Sequence, residues 1–314
     1  MAESKFDAVA VIVVNYGSSS LLEVNLLPLS DRVPDMTVVV VDNYSSSQER
    51  ESVIALCDAH GWIAEMREQN EGFGAGMNIG VAVARSHGAS LFLLLNPDAA
   101  LSEESLASLI SEVRADPLLL ASPTVLRPDG SVWFDGADLF LDDGRVSARA
   151  RRSPSLSPRE PWLSGACLVV SAELWDVVGG FAEEYFLYWE DIDLSHRVLA
   201  GGGRLAVLSS ATAVHAEGGT QGVSAHASGM PKSTTYYYYN IRNRLLFAAR
   251  YLPSAEVRRW RRSAPLVAWE VLLEGGRRQL LQSPRPIVAA IRGLRDGLKR
   301  TGRHWPSERT KWLP

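Results

Sequence analysis

Three uninterrupted apolar runs constrain this chain more than any other feature: AVAVIVVN (residues 8–15), TVVVVDN (37–43) and SLFLLLNPD (90–98). None alternates apolar with polar residues, so each reads as a strand buried on both faces, as in a parallel sheet covered by helices. Helix signals lie between the runs. Ser45 to Ser47 offer caps for a segment carrying Val53, Ile54 and Cys57, closed by Gly61. Ala75 to His87 reads as a second helix, stopped by Gly88. Ser102 caps a third, with Glu103 and Glu104 in the first turn, where the helix dipole favours acids. This alternation predicts a doubly wound α/β half with ligands at the carboxyl ends of its strands. A length of 314 residues allows one large domain or two modest ones.

The second half changes character. Residues 142–161, DDGRVSARARRSPSLSPREP, are polar, basic and rich in Pro and Ser, and read as a mobile loop. Then WLSGACLVVSAELWDVVGGF predicts a strand and a short helix capped by Ser171 and ended by Gly179-Gly180. YFLYWEDIDLSHRVLAGGG predicts a helix from near Glu190 to the glycines. After Tyr251 come basic amphipathic helices, one carrying Trp260, Leu266, Trp269, Leu273 and Leu280, the next Ile287, Ile291, Leu294 and Leu298. No internal repeat is present.

Charge divides the chain in the same place. From Arg250 onward there are 15 Lys and Arg against 5 acids, whereas the preceding 249 residues carry 17 basic and 31 acidic groups. A basic tail on an acidic body predicts an anionic partner for the tail, a phospholipid surface above all. The acidic body argues against nucleic acid. The competing reading packs the tail helices on the rest of the chain, or across a homodimer. Two distant cysteines, Cys57 and Cys167, make neither a disulfide framework nor a zinc site and fit a reducing cytosol. VAVIVV is too short for a signal segment and no run reaches spanning length. The expected location is cytoplasmic, with the tail able to touch the inner face of the plasma membrane.

Candidate chemistry sits where the buried runs end. Asp42 closes VVVVDN and Asp98 closes LLLNPD. Either alone would be ordinary turn chemistry. Two acids at one sheet edge, with the glycine-rich NEGFGAGMNIG (70–80) between them, point to a ligand site. Asp42 can accept from a base N–H, and Asp98 can hold Mg²⁺ or Mn²⁺ on a diphosphate. The glycines fail the G-x-G-x-x-G dinucleotide fingerprint in both frames, because the third position falls on Met77 or Ile79. That argues against a nicotinamide oxidoreductase. A third acidic group, Glu190, Asp191 and Asp193, opens a helix and is either capping or a source of a general base.

In order, VIVVNY, VVVVDNYSS, NEGFGAGMNIG, LLLNPD, WLSGACLVV, GGFAEEYFLYWEDIDLSHR and AVHAEGG span roughly residues 8–250. Together they resemble a family 2 bacterial glycosyltransferase of the GT-A fold, nearest to dTDP-rhamnosyltransferases of cell-wall and O-antigen assembly. The resemblance implies a mainly parallel Rossmann-like sheet, a catalytic domain over 1–250 and a basic helical tail over 251–314. It implies that Asp42, with the backbone around Asn15 and Tyr16, meets the pyrimidine base. Asn70, Gly72, Gly74 and Asn78 would line the nucleotide-sugar pocket. Asp98 would match the last acid of a D-x-D metal motif whose first acid is here Asn96, and His215 would reach the metal or diphosphate. Asp191 would be the base, its neighbour Glu190 would orient it or bind the acceptor, and Trp162, Ser164 and Gly165 would form part of the acceptor wall. The Q-x-x-R-W of processive relatives is absent; YYYYNIRNR takes its place, where Arg242 or Arg244 would neutralise the diphosphate, unless both are structural.

The implied reaction is inverting transfer of L-rhamnose from dTDP-rhamnose to a glycan or polyprenyl-diphosphate-linked acceptor. A UDP-linked donor, galactofuranose or N-acetylglucosamine, would use the same fold. A non-catalytic sugar-nucleotide binding protein is the contrasting class, and the presence of Asp42, Asp98, Asp191 and His215 together weighs against it.

Overall fold

The structure is a computed structural model that describes residues 5–148, 157–216 and 232–302. Its strands are β1 (Val9–Asn15), β2 (Thr37–Asp42), β3 (Ile63–Met66), β4 (Leu91–Leu95), β5 (Ala99–Leu101), β6 (Leu119–Leu126), β7 (Val132–Phe134), β8 (Ala137–Phe140), β9 (Val146–Ala148), β10 (Arg159–Trp162), β11 (Cys167–Ser171) and β12 (Arg204–His215). Its helices are α1 (Ser19–Asn25), α2 (Leu27–Arg32), α3 (Ser47–His60), α4 (Phe73–Ser86), α5 (Glu103–Ala115), α6 (Ala172–Val178), α7 (Glu190–Ala200), α8 (Thr234–Tyr251), α9 (Ser254–Glu274), α10 (Arg278–Gln282) and α11 (Arg285–Arg300).

The three apolar runs become β1, β2 and β4, side by side and parallel, with β1 in the middle. All seven residues of β1 are buried. Alternate side chains serve opposite cores. Val11, Val13, Val38, Val40, Leu93 and Leu95 pack on one face with residues of α1, α2, α3 and α5. Ala10, Ile12, Val39, Val41, Phe92 and Leu94 pack on the other with α4, α6 and α7. This is why the runs show no period of two. The sheet continues β3-β2-β1-β4-β11-β6-β12-β5, with β7 beside β6. It is mixed, because β11 runs antiparallel to β4 and β6, and β5 antiparallel to β12.

The expected caps are in place. Ser46, Ser102 and Ser171 accept from the backbone N–H three residues on, and left-handed Gly61 and Gly179 end α3 and α6. Helix α4 starts at Phe73, two residues earlier than the periodicity predicts. The segment expected to be a loop over 142–161 is partly strand. β9 and β10 flank β8 in a small antiparallel sheet, Pro161 lying on edge strand β10, where a missing N–H is tolerated. Residues 149–156 of that segment lie outside the described residues.

Helices α8, α9 and α11 form a further layer. Trp260 of α9 is fully buried, donates to the Leu141 carbonyl and packs with Tyr185, Trp189, Ile192 and Leu139 of the sheet-bearing part. The helical layer thus begins at Thr234 and shares a core with the segment leading into α7.

Candidate active site

The carboxyl ends of β2, β1 and β4 point the same way. Because β11 is antiparallel to β4, the segment before it, Trp162 to Ala166, arrives at that same edge. The Asn96 N–H donates to the Ala166 carbonyl (3.0 Å), and the Gly165 N–H donates to Asp191 Oδ2 (3.1 Å). Gly165 also faces the Phe73 ring, at the start of α4. The end of β4, the start of β11, the glycine-rich turn and the head of α7 therefore converge.

At the β1–β2 end, Asp42 is fully buried. Asn15 Nδ2 donates to its Oδ1 (3.1 Å), and Arg50 Nε donates to its Oδ2 (3.2 Å). Asn15 Oδ1 in turn accepts from the Ser18 N–H and hydroxyl. Asn15 thus braces Asp42 through its side chain, while the neighbouring Tyr16 is exposed. Arg50, which no sequence pattern marked, covers Asp42 and stacks over Tyr44, 4.6 Å from the ring centre. Asn43 was missed as well; its Nδ2 donates to the Gly72 carbonyl (2.9 Å) and ties β2 to the glycine turn.

The glycines of NEGFGAGMNIG approach protein. A Cβ on Gly72, whose φ is +94°, would overlap the Phe186 carbonyl oxygen; on Gly74 it would press on Phe181, on Gly76 on Val14, and on Gly80 on Ile12. A Cβ at Gly72 or Gly74 would meet Phe186 or Phe181, so close packing within the protein accounts for the small residue at both positions. Asn78 is engaged by protein as well. It donates to the Phe181 carbonyl and Glu183 and accepts from the Phe181 N–H, which fastens residues 181–183 to α4. Asn70 accepts from the Gly72 N–H (2.9 Å) and shapes the turn.

Beyond β4, Asp98 Oδ1 lies 3.0 Å from His215 Nε2, and both side chains are buried. His215 ends β12, opposite Ala99 of β5. Its Nδ1 is buried with no hydrogen-bond partner among the described residues, and its ring centre lies 4.5 Å from that of Trp133. Asn96 is half-buried two residues before Asp98. Among the described residues no group of three His, Cys, Asp or Glu is arranged to hold a metal. Asp98 and His215 fit a cation that takes its remaining ligands from phosphate and water, the usual habit of Mg²⁺.

At the head of α7, Asp191 accepts from the Gly165 and Ile192 N–H groups. Desolvation pushes its carboxyl up to about 6, against the opposing pull of those donors. Glu190 is buried, one of its carboxyl oxygens has no partner among the described residues, and desolvation plus the Asp191 charge drive its pKa well above the usual range. Asp193 turns inward instead, between Arg197 (2.7 Å) and the Tyr251 hydroxyl (2.6 Å). The Trp162 Nε1 is buried with no partner among the described residues and its ring packs on Phe134, while Ser164 is buried beside Ala166.

Arg242 and Arg244, expected either at the diphosphate or in a structural role, both donate to backbone carbonyls here. Arg244 is buried, donates to the Asp143 and Trp260 carbonyls and the Ser263 hydroxyl, and lies over the Trp260 ring. Arg242 donates to the Glu184 and Tyr185 carbonyls and to Asn243 Oδ1.

A mixed α/β sheet gathers these acids and amides at the carboxyl ends of its parallel strands, the place where open α/β sheets bind ligands. The chain belongs to glycosyl transferase family 2, whose sequence profile matches residues 10–173. A low-salt glycan biosynthesis hexosyltransferase of Haloferax volcanii is 27% identical over 62% of this chain. An N-acetylglucosaminyl-diphospho-decaprenol L-rhamnosyltransferase of Mycobacterium tuberculosis is 31% identical over 45% of it. The chain spans 62% and 52% of the lengths of these two relatives. A mannosyltransferase of Pyrobaculum calidifontis, solved with GDP-Man and Mn²⁺, superposes with a TM-score of 0.52 at 17% identity, covering 96% of this chain and 88% of that one. The fold is GT-A.

Proposed function

We propose that the protein transfers a sugar, L-rhamnose from dTDP-rhamnose in the reading favoured by its motifs, to a hydroxyl of a glycan or lipid-linked glycan. The observation that carries this is Asp191: a carboxyl held by two backbone N–H groups at the sheet's ligand edge, its pKa pushed up to about 6. Such a group is ionised at neutral pH yet basic enough to accept a proton. In a single displacement the acceptor oxygen bonds to the anomeric carbon, its proton passes to Asp191, and the bond from that carbon to the diphosphate oxygen breaks. Configuration inverts and no glycosyl-enzyme forms. Glu190, with its unpartnered oxygen, donates a hydrogen bond to the acceptor when protonated. Asp42 would receive the base edge once Arg50, which donates to its Oδ2, gives way. Asp98 and His215 would hold a divalent cation, which supplies charge to the leaving diphosphate.

The name of the mycobacterial relative supports the rhamnosyl donor and a diphospholipid-linked acceptor. The test is a binding and hydrolysis panel of dTDP- and UDP-sugars with Mg²⁺ or Mn²⁺. Selective turnover of dTDP-rhamnose is expected. Selective turnover of a UDP-sugar would replace the donor assignment, and binding without turnover on any acceptor would defeat the enzyme reading.

A further inference from the structure

The exposed apolar side chains are not scattered over this molecule. Among the described residues fourteen large hydrophobic side chains are exposed, and six of them lie within residues 266–291: Leu266, Trp269, Leu281, Ile287, Val288 and Ile291. Leu281 is 90% exposed and Ile291 61%. In the sequence the apolar stripes of the tail suit either an anionic surface or packing on protein. The structure splits them. Trp260, Ala264, Ala268 and Leu272 of α9, with Ala289 and Ala290 of α11, face inward, while these six face out.

The six also gather at one place. Arg261, in the first half of α9, donates to the Leu298 carbonyl and the Thr301 hydroxyl at the end of α11, so the two helices run antiparallel. The end of α9 and the start of α11 therefore meet, joined by α10. On α9, Arg258, Arg262, Leu266, Trp269 and Leu273 follow one stripe at spacings of four, four, three and four. Around this tip the charge is one-sided. Residues 271–295 contain five arginines and a single acid, Glu274, which accepts from the Tyr236 hydroxyl. Arg277, Arg278, Arg285 and Arg292 are exposed.

We propose that the tip of the α9–α11 pair docks on an anionic phospholipid bilayer, Leu266, Trp269, Leu281 and Ile291 entering the headgroup boundary while the arginines meet lipid phosphates. The mixture of large apolar groups and cations fits that boundary chemically. A second copy of the chain fits poorly, because it would set arginine against arginine around the apolar centre. No described helix is long and apolar enough to cross a membrane, so the contact lies in the surface plane. The inference is independent of the transfer chemistry, since none of these residues belongs to the candidate active site.

The test is sedimentation of the full chain with vesicles of phosphatidylglycerol and phosphatidylcholine, compared with phosphatidylcholine alone. Binding to the anionic vesicles, weakened by salt, is expected. Leu281→Ser with Ile291→Ser should lower vesicle partitioning at least ~30-fold, since each removes a buried aliphatic side chain from the bound state. Arg277→Glu with Arg278→Glu should lower it at least ~10-fold. Both pairs change exposed side chains, so melting temperature and transfer to a water-soluble acceptor should stay at wild-type values. Equal binding to both vesicle types, or none to either, would overturn the proposal. So would a dimer, seen by sedimentation velocity, that the same substitutions dissociate.

Discussion

Asn243 Nδ2 donates to the Tyr188 carbonyl across 2.7 Å, two residues ahead of Glu190. The same amide reaches the Tyr185 and Leu187 carbonyls, each at 2.9 Å. The segment it grips contains three non-glycine residues with positive φ: Phe186, Tyr188 and Trp189. Each such residue costs about 1–3 kcal/mol and persists only where its surroundings over-determine it. A side chain of α8 thus supplies the hydrogen bonds that a strained backbone cannot make for itself, and the strain delivers Glu190 and Asp191 to the site.

Asn243→Ala should therefore lower stability by about 2–4 kcal/mol, because it strands buried carbonyls and leaves the strain unopposed. Transfer by the folded fraction should fall further than donor affinity does. Urea midpoints, turnover and the donor dissociation constant, measured together, check this; wild-type turnover would show that the segment holds its shape unaided.

The glycine turn offers a sharp contrast between two explanations. If Gly80 is small because Ile12 and Val41 lie against it, Gly80→Ala should destabilise by about 1–3 kcal/mol while donor affinity of the folded protein stays unchanged. If the glycine served a ligand, affinity would fall and stability would hold. Gly72→Ala should be worse still, since its φ of +94° is strained for any other residue and the Phe186 carbonyl blocks the Cβ.

Much of this was legible in the sequence, and the limits have physical causes. Continuous apolar runs give away strands buried on both faces, and serine caps with terminal glycines give away helix ends, because both signals are local. Strands β3 and β5 are short and carry no such run; they are stabilised by neighbours distant in sequence. The acids at the strand ends were readable because a polar group closing a buried run needs an explanation. Arg50, Asn43 and Asn243 were not, since an arginine or asparagine on a helix or in a turn looks solvated until its partner is known. Arg242 and Arg244 were ambiguous for the opposite reason: their charge suggested either a ligand or a structural role, and the fold turns both guanidinium groups onto backbone carbonyls.

The Asp98–His215 pair predicts an ordered loss of metal response. Asp98→Ala should abolish detectable Mn²⁺ binding in the presence of a nucleoside diphosphate, because it removes the charged ligand. His215→Ala should weaken that binding about 10–100-fold, whether the ring meets the cation or only orients the carboxylate. Calorimetric titration of Mn²⁺ into each variant with dTDP present would read both. An unchanged isotherm for Asp98→Ala would remove it from the metal site.

Asp191 links activity to stability with opposite signs. As a base it must be ionised, so turnover should rise with pH through about 6 and level off above. Its folded pKa stands above the 3.8 of an ordinary aspartate, so the folded protein holds this proton more tightly than the unfolded chain does. Between those two values stability must fall as pH rises, and the deficit is fully present above pH 6, at about 1–3 kcal/mol. Asp191→Asn removes the charge that burial disfavours. It should lower turnover by about 10²–10⁴-fold yet unfold at a higher urea concentration than wild type at pH 8, the difference closing towards pH 4. Donor binding should survive. An Asn variant that turned over normally would show that the strained entry to α7 presents some other group as the base, and one less stable than wild type at pH 8 would show that burial does not disfavour the Asp191 charge.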